Sequence, residues 1–420
     1  MANKMIGKSF EGILIIRKHL RITGLLLIGA LFVLTACSSG SQEPGSTASP
    51  TSSSTGVNSP SEVDALYTKG HASATDKRWA DAITEFDQVI ALEPGRTLAY
   101  YYRGRAYLGL EQPNEAISDL NKSLELDSSL DQAYYYRGRA NLDLNQPIEA
   151  LADLTKALEL DPSLSQAYYY RGRANLDLNQ PAEAVNDLTT ALEMDSSLGQ
   201  ANYYRGRAHG DLNQDTEALA DYTTALQLNS ELSAANYYRG RIYRSLGQLD
   251  KALADFTNAI KLDPAFSQAY YYRGRVYRDT EDFPNALADF TNALEVDSGL
   301  TLAHYYRGRV YRSLDQLPEA AADFTKALEL DDTLALAYYY RGRVLRSQDQ
   351  LTEAVADFSI ALQLDNGLDV AYYYRARAYE SLNQPSSAIT DYQSVLATST
   401  TDQLTGLAKT QLAGLGVSTP

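Results

Sequence analysis

Two amphipathic stretches alternate along most of this chain. Residues 165–198, SQAYYYRGRANLDLNQPAEAVNDLTTALEMDSSL, show both. The second stretch sets Ala184, Leu188, Ala191 and Leu192 on one face at helical spacing. Asn179-Gln180-Pro181 separates it from the first. Proline is tolerated in a first helical turn, and asparagine just ahead of it reads as a start signal. The stretch stops at Asp195-Ser196, which is Asp161-Pro162 or Asp263-Pro264 elsewhere, pairs that favour turns. The pattern predicts helix, short turn, helix, short turn.

It returns every 34 residues, marked by Tyr-Tyr-Arg-Gly-Arg from Tyr101, Tyr135, Tyr169, Tyr203, Tyr237, Tyr271, Tyr305 and Tyr339. Tyr373-Tyr374-Arg375-Ala376-Arg377 closes the series. Units start at Val63, Thr97, Asp131, Ser165, Gly199, Ser233, Ser267, Thr301, Ala335 and Asp369. A fixed period of this length marks a stack of like supersecondary units rather than a globular enzyme core. One hairpin cannot bury enough surface to offset ordering its residues at about 1.5 kcal/mol each, so neighbours must stack. After the tenth unit, Leu404, Leu407, Ala408, Leu412 and Leu415 outline an amphipathic helix with no hairpin partner, placed to cover the last apolar face.

The unit resembles the tetratricopeptide repeat. That family has an aromatic at unit position 4, Gly or Ala at 8, Ala at 20, an aromatic or Leu at 24, Ala at 27 and often Pro at 32. In residues 165–198 these are Tyr168, Gly172, Ala184, Leu188, Ala191 and Ser196. The resemblance implies an all-α fold, a right-handed α-α superhelix (a solenoid) of about ten helical hairpins spanning residues 63–402. A capping helix and tail would occupy residues 403–420. It also implies that one stripe of each first helix lines a concave groove.

Residues four apart share a helix face, so unit positions 5 and 9 form one stripe, joined by position 12. Position 5 is Tyr in all ten units, and position 9 is Arg in nine, with His71 in the first. Position 12 is Arg in four consecutive units. The candidate peptide-binding groove is therefore Tyr237, Arg241 and Arg244, with Tyr271, Arg275 and Arg278 in the next unit. Tyr305, Arg309 and Arg312, then Tyr339, Arg343 and Arg346, complete it. Guanidinium groups favour carboxylate and phosphate, and tyrosine offers flat stacking area with a hydroxyl. The alternative is that these groups stack on one another and pair with Asp143, Asp177, Asp211 and Asp279 at position 13. The chaperone-binding members of the resembled family use Lys at 5 and Asn at 9, where this chain has Tyr and Arg. Its sugar-transferase members use Asn at 6, where this chain has Tyr, as at Tyr170.

Position 7 points away from that stripe and is Arg in nine units, from Arg103 to Arg375. Position 23, on the second helix, is Asp in the same nine, from Asp119 to Asp391. The first unit changes both, to Lys69 and Glu85. That paired change predicts an ion pair between the two helices of each hairpin.

The N-terminus carries a different signal. Lys4, Lys8, Arg17, Lys18 and Arg21 precede the apolar run LLLIGALFVLT, the layout of a secretory signal over residues 1–36. Leu34-Thr35-Ala36-Cys37 resembles the bacterial lipobox, which implies that Cys37, the only cysteine, is lipidated after cleavage. Residues 37–62, rich in Ser, Thr, Gly and Pro, read as a disordered tether. The expected location is the bacterial cell envelope, outside the cytoplasm and lipid-anchored, with Ser38 favouring the outer membrane where there are two. Contact with the membrane would be through the lipid alone.

The formal charge is −16, and the first 36 residues hold five Lys/Arg against one Glu, leaving −20 on the remainder. Such a surface repels phosphate backbones and argues against nucleic acid. His19, His71, His209 and His304 have no metal-ligand spacing. No nucleophile motif, phosphate loop or dinucleotide fingerprint occurs, so no catalytic, cofactor or metal residue and no small-molecule substrate is expected. The sequence reads as an envelope scaffold or adaptor, not an enzyme, that binds acidic, extended or C-terminal protein segments in a concave Tyr/Arg groove. The alternatives are a binder of anionic or glycan wall polymer and a structural spacer.

Overall fold

The computed structural model describes residues 60–418. The expected signal sequence, Cys37 and the tether up to residue 59 lie outside these. The described residues form twenty-one α-helices and no strand. Twenty pair into ten hairpins, from α1 (Pro60–Thr75) with α2 (Trp79–Leu92) to α19 (Asp369–Ser381) with α20 (Pro385–Thr398). A last helix, α21 (Asp402–Gly414), follows, with Leu404, Ala408 and Leu412 buried against the end of the stack.

The fourth hairpin shows how the sequence makes the unit. Helix α7 (Ser165–Asp177) ends just before Leu178 and Asn179, and Asn179 adopts φ 58°. The Gln180 N–H then donates to the Asn175 carbonyl at 2.8 Å, and the Asn179 N–H to that of Leu176 at 3.0 Å. This is the left-handed closure that satisfies carbonyls left over at a helix end. Asn179 therefore closes the first helix and does not cap the second, a role the sequence alone had suggested. Asparagine tolerates the left-handed region that most residues avoid. Helix α8 (Pro181–Met194) starts with Pro181 in its first turn and Glu183 beside it. Proline has no N–H to leave unsatisfied there, and the carboxylate favours the positive helix end. Between hairpins, the Asp161 carboxylate accepts from the Ser163 N–H at 2.8 Å and its hydroxyl at 2.6 Å, holding the tight turn.

Within the hairpin, Gly172 faces Leu188. A Cβ at Gly172 would lie 2.6 Å from Leu188 Cγ, so the absent side chain sets the distance between the helices. The core runs across the junctions. Tyr169, Ala184, Leu188 and Ala191 form one buried cluster with Ala201 and Ala208 of the next hairpin, α9 (Gly199–Asp211) with α10 (Asp215–Leu228). No hairpin owns its core, which is why the stack and not the unit is stable.

The predicted ion pair forms in every unit. Arg171 meets Asp187 with Nε to Oδ2 at 2.9 Å and Nη2 to Oδ1 at 2.6 Å. The same two-bond clasp joins Arg103 to Asp119 and Arg375 to Asp391 at the ends of the series. In the first unit Lys69 reaches Glu85 at 3.0 Å. The arginine often reaches a third helix as well. Arg205 Nη1 donates to Thr189 of the preceding hairpin at 3.3 Å, and Arg375 Nη1 to Ser359 at 3.0 Å. The clasp thus holds hairpin to hairpin as well as helix to helix.

Candidate functional site

First helices of successive hairpins touch one another, as α1 does α3 (Thr97–Gly109), while second helices do not meet at that closeness. The hairpins therefore lean toward the first-helix side, which is the inner face. The stripe of positions 5, 9 and 12 belongs to it.

The stripe has depth. The position-5 tyrosines sit at its floor: Tyr237, Tyr271, Tyr305 and Tyr339 are only 3–6% exposed. Each is wedged against the position-6 tyrosine of the next unit, with Tyr237 and Tyr272 centroids 5.6 Å apart and Tyr305 and Tyr340 5.8 Å apart. Edge-on contacts of this kind stabilise beyond the area they bury. Burial pushes the Tyr271, Tyr305 and Tyr339 hydroxyls above the ordinary phenol range, so they are neutral hydrogen-bonding groups at neutral pH.

Above this floor lie the guanidinium groups. Arg241, Arg275, Arg309 and Arg343 lie 5.1, 4.8, 4.7 and 4.3 Å from the ring centroids of Tyr272, Tyr306, Tyr340 and Tyr374. Position 12 adds a second cation to three of these rings. Arg278 sits 4.5 Å from the Tyr306 centroid, Arg312 5.2 Å from Tyr340 and Arg346 5.5 Å from Tyr374. The twelve residues thus form one surface, with the tyrosines as platforms and most of the arginines more open above them, while Arg275, 7% exposed, lies nearly as deep as the tyrosines.

The charges on this surface are unevenly balanced. Asp279 bridges two position-12 residues, with Oδ2 to Arg244 Nη2 at 2.6 Å and Oδ1 to Arg278 Nη2 at 2.6 Å. Burial would raise its carboxyl, but the two guanidinium groups outweigh that and hold it below the ordinary carboxylate range. Of the four position-13 aspartates, Asp279 alone forms an ion pair within 4.0 Å. Further along, Arg312, Arg343 and Arg346 have no carboxylate within that distance among the described residues. Burial and the nearby Arg343 guanidinium hold Arg312 below its ordinary value, and burial and Arg377 do the same to Arg346.

Sequence reasoning raised pairing of Asp279 with the stripe as its alternative, but not that this one carboxylate would join the arginines of two units. The only sequence signal for the bridge was that Asp279 directly follows Arg278 one unit after Arg244. Nor did sequence reasoning anticipate what surrounds the clasp aspartates. Asn175 donates to Asp187 at 3.0 Å, and His304 Nδ1 lies 2.9 Å from Asp323.

Sequence profiles for the tetratricopeptide repeat match residues 97–130 and 131–164, then 169–233, 271–335 and 307–369, and finally 370–398. A profile described as TPR repeat matches residues 240–278. No curated protein sequence matches the chain. Among solved structures the chain is similar to YrrB, described as a TPR protein with an unusual peptide-binding site. The identity is 24%, over 45% of this chain and 97% of that one, with a TM-score of 0.39. It is also similar to yeast Tom70, at 17% identity over 84% of this chain and 95% of that one, TM-score 0.39. A third likeness is to the APC/C hetero-tetramer Cut9-Hcn1, at 14% identity over 83% and 96%, TM-score 0.44.

Proposed function

The chain belongs to the tetratricopeptide repeat family, a fold that typically serves as a non-catalytic scaffold for protein–protein interaction, and from that premise we propose a more specific role. It is a lipid-anchored scaffold of the bacterial cell envelope, held through Cys37, that gathers partner proteins by binding their extended acidic segments along the inner face. The observation that supports this most is the run of Arg312, Arg343 and Arg346 without a carboxylate partner, on a chain of net charge −16. A cationic strip on an acidic molecule steers acidic segments to one face and repels them elsewhere.

Photo-crosslinking tests the reading. A photoreactive residue at the exposed inner positions Ser245 or Ser347 should trap envelope proteins, and one at the exposed second-helix positions Glu149 or Glu329 should not. Crosslinks only from the second-helix positions, or none at all, would refute the binding face and leave a spacer. Loss of every crosslink on adding purified wall polymer would reassign the face to glycan. Fractionation tests the anchor: Cys37→Ala should move the protein from the membrane pellet to the soluble fraction.

A further inference from the structure

The array contains a worked example of its own ligand. Between α11 (Ser233–Ser245) and α13 (Ser267–Asp279), two position-12 arginines face each other along the inner stripe, Arg244 and Arg278. Position 13 of the later helix is Asp279, and its carboxylate spans the pair with one oxygen to each guanidinium. Oxygen–nitrogen distances of 2.6 Å are those of charge-assisted bonds.

The next two junctions repeat the arginines and omit the carboxylate. Position 13 becomes Ser313 on α15 (Thr301–Ser313) and Ser347 on α17 (Ala335–Ser347). Both hydroxyls turn back to their own helix, onto the Arg309 and Arg343 carbonyls at 3.1 Å. At the first of these junctions Arg278 is already held by Asp279. At the second, between α15 and α17, Arg312 and Arg346 hold the corresponding positions with no carboxylate paired to either, and the Nε of each, like that of Arg244, is buried without a hydrogen-bond partner. One unit later carboxylate returns: Glu380 occupies position 12, accepting from Tyr392 at 2.7 Å and pairing with Arg377 at 3.1 Å. The open pair thus lies between Arg278, already held by Asp279, and Glu380.

Two half-buried guanidinium groups, each with Arg343 near it, are costly to hold without an anion. Their orientation is fixed in advance, since each is stacked on a tyrosine ring, Tyr340 or Tyr374. We propose that the α15–α17 junction is a carboxylate clamp, in which Arg312 and Arg346 take one Asp or Glu side chain of an acidic protein segment in the place that Asp279 fills between Arg244 and Arg278. This rests on the reading of the inner face as the partner-binding surface and gives that face a register. A bound segment would be anchored at the eighth and ninth hairpins, where the stripe has a built position for an acid and nothing of its own to fill it.

Ser347→Asp is the deciding variant, because it should supply the missing carboxylate from within. Binding of a fluorescein-labelled deca-glutamate peptide to the full chain, read by anisotropy at low salt, should weaken at least tenfold in Ser347→Asp. The same variant should melt at a higher temperature than the parent. Arg312→Gln/Arg346→Gln should weaken binding to a similar degree. Arg244→Gln, whose pair is already closed, should stay within twofold of the parent. Unchanged deca-glutamate affinity in Ser347→Asp would overturn the clamp, and so would a lower melting temperature there. Displacement of the peptide by micromolar inorganic phosphate would assign the junction to a free anion and overturn the protein-segment ligand. The two readings fail separately. If inner-face crosslinks persist while Ser347→Asp changes nothing, only the clamp falls. If the clamp behaves as stated and no inner-face crosslink forms, the scaffold reading falls.

Discussion

Arg171 on α7 and Asp187 on α8 are joined by two parallel bonds, at 2.9 and 2.6 Å, with the carboxylate nearly buried. Removing one partner of such a pair strands the other in a low-dielectric site, which costs more than the intact pair contributes. Arg171→Ala should therefore destabilise the array by about 2–4 kcal/mol, scaled down from fully buried pairs because the arginine is partly open to water. Replacing both, as Arg171→Met with Asp187→Leu, should restore much of that. Amide exchange should quicken in the third to fifth hairpins and stay slow elsewhere, since each unit contacts only its neighbours. Deca-glutamate binding should be unchanged, and loss of binding with an unaltered melting curve would place Arg171 in the ligand site instead.

Gly172 sets the spacing between α7 and α8, with Leu188 Cγ 2.6 Å from where a Cβ would stand. Gly172→Val should cost about 1–3 kcal/mol by overpacking. Gly210, which has nothing within 4 Å of its Cβ position, should accept alanine with little change or a small gain. Thermal melts of the two variants compare the cases directly.

The left-handed residue at the centre of each hairpin is Asn in four units and Gly only at Gly247. Glu111 holds φ 58° without the help of a short polar side chain or the freedom of glycine. Glu111→Gly should stabilise the second hairpin by roughly 1 kcal/mol, with Lys77→Gly acting alike in the first. A loss of stability in both would mean that their side chains hold the turn by other contacts.

Asp279 carries a pH signature. Its folded carboxyl lies below the unfolded value because Arg278 and Arg244 overcome the effect of burial. A carboxylate depressed in this way adds stability above the unfolded value of about 3.9, and that stability is lost as pH falls through the lower folded value. Asp279→Asn should thus melt well below the parent at pH 7, by about 1–2 kcal/mol, with the gap closing below pH 4. Urea titrations between pH 7 and pH 2.5 would show it, and a gap independent of pH would exclude the bridge as the cause.

The hairpins, their number, their helical character and the clasp were all legible in the chain. Ten copies of one unit act as an internal comparison. Lys69 and Glu85 replace Arg and Asp together, which marks a pairing that one copy could not reveal. Residue spacing also placed Tyr271, Arg275 and Arg278 on one face. What it could not say is how deep each lies on that face, because depth is set by the neighbouring hairpin. Tyr306 of the next unit covers Tyr271 and carries Arg275 and Arg278 on its ring, turning a stripe into a floor with cations above it. The part played by Asn179, and the selection of Asp279 from the four position-13 aspartates to bridge two units, belong to the tertiary structure for the same reason. A backbone torsion and a bond across a junction depend on where two helices meet, and a helical repeat written in sequence fixes faces, not distances.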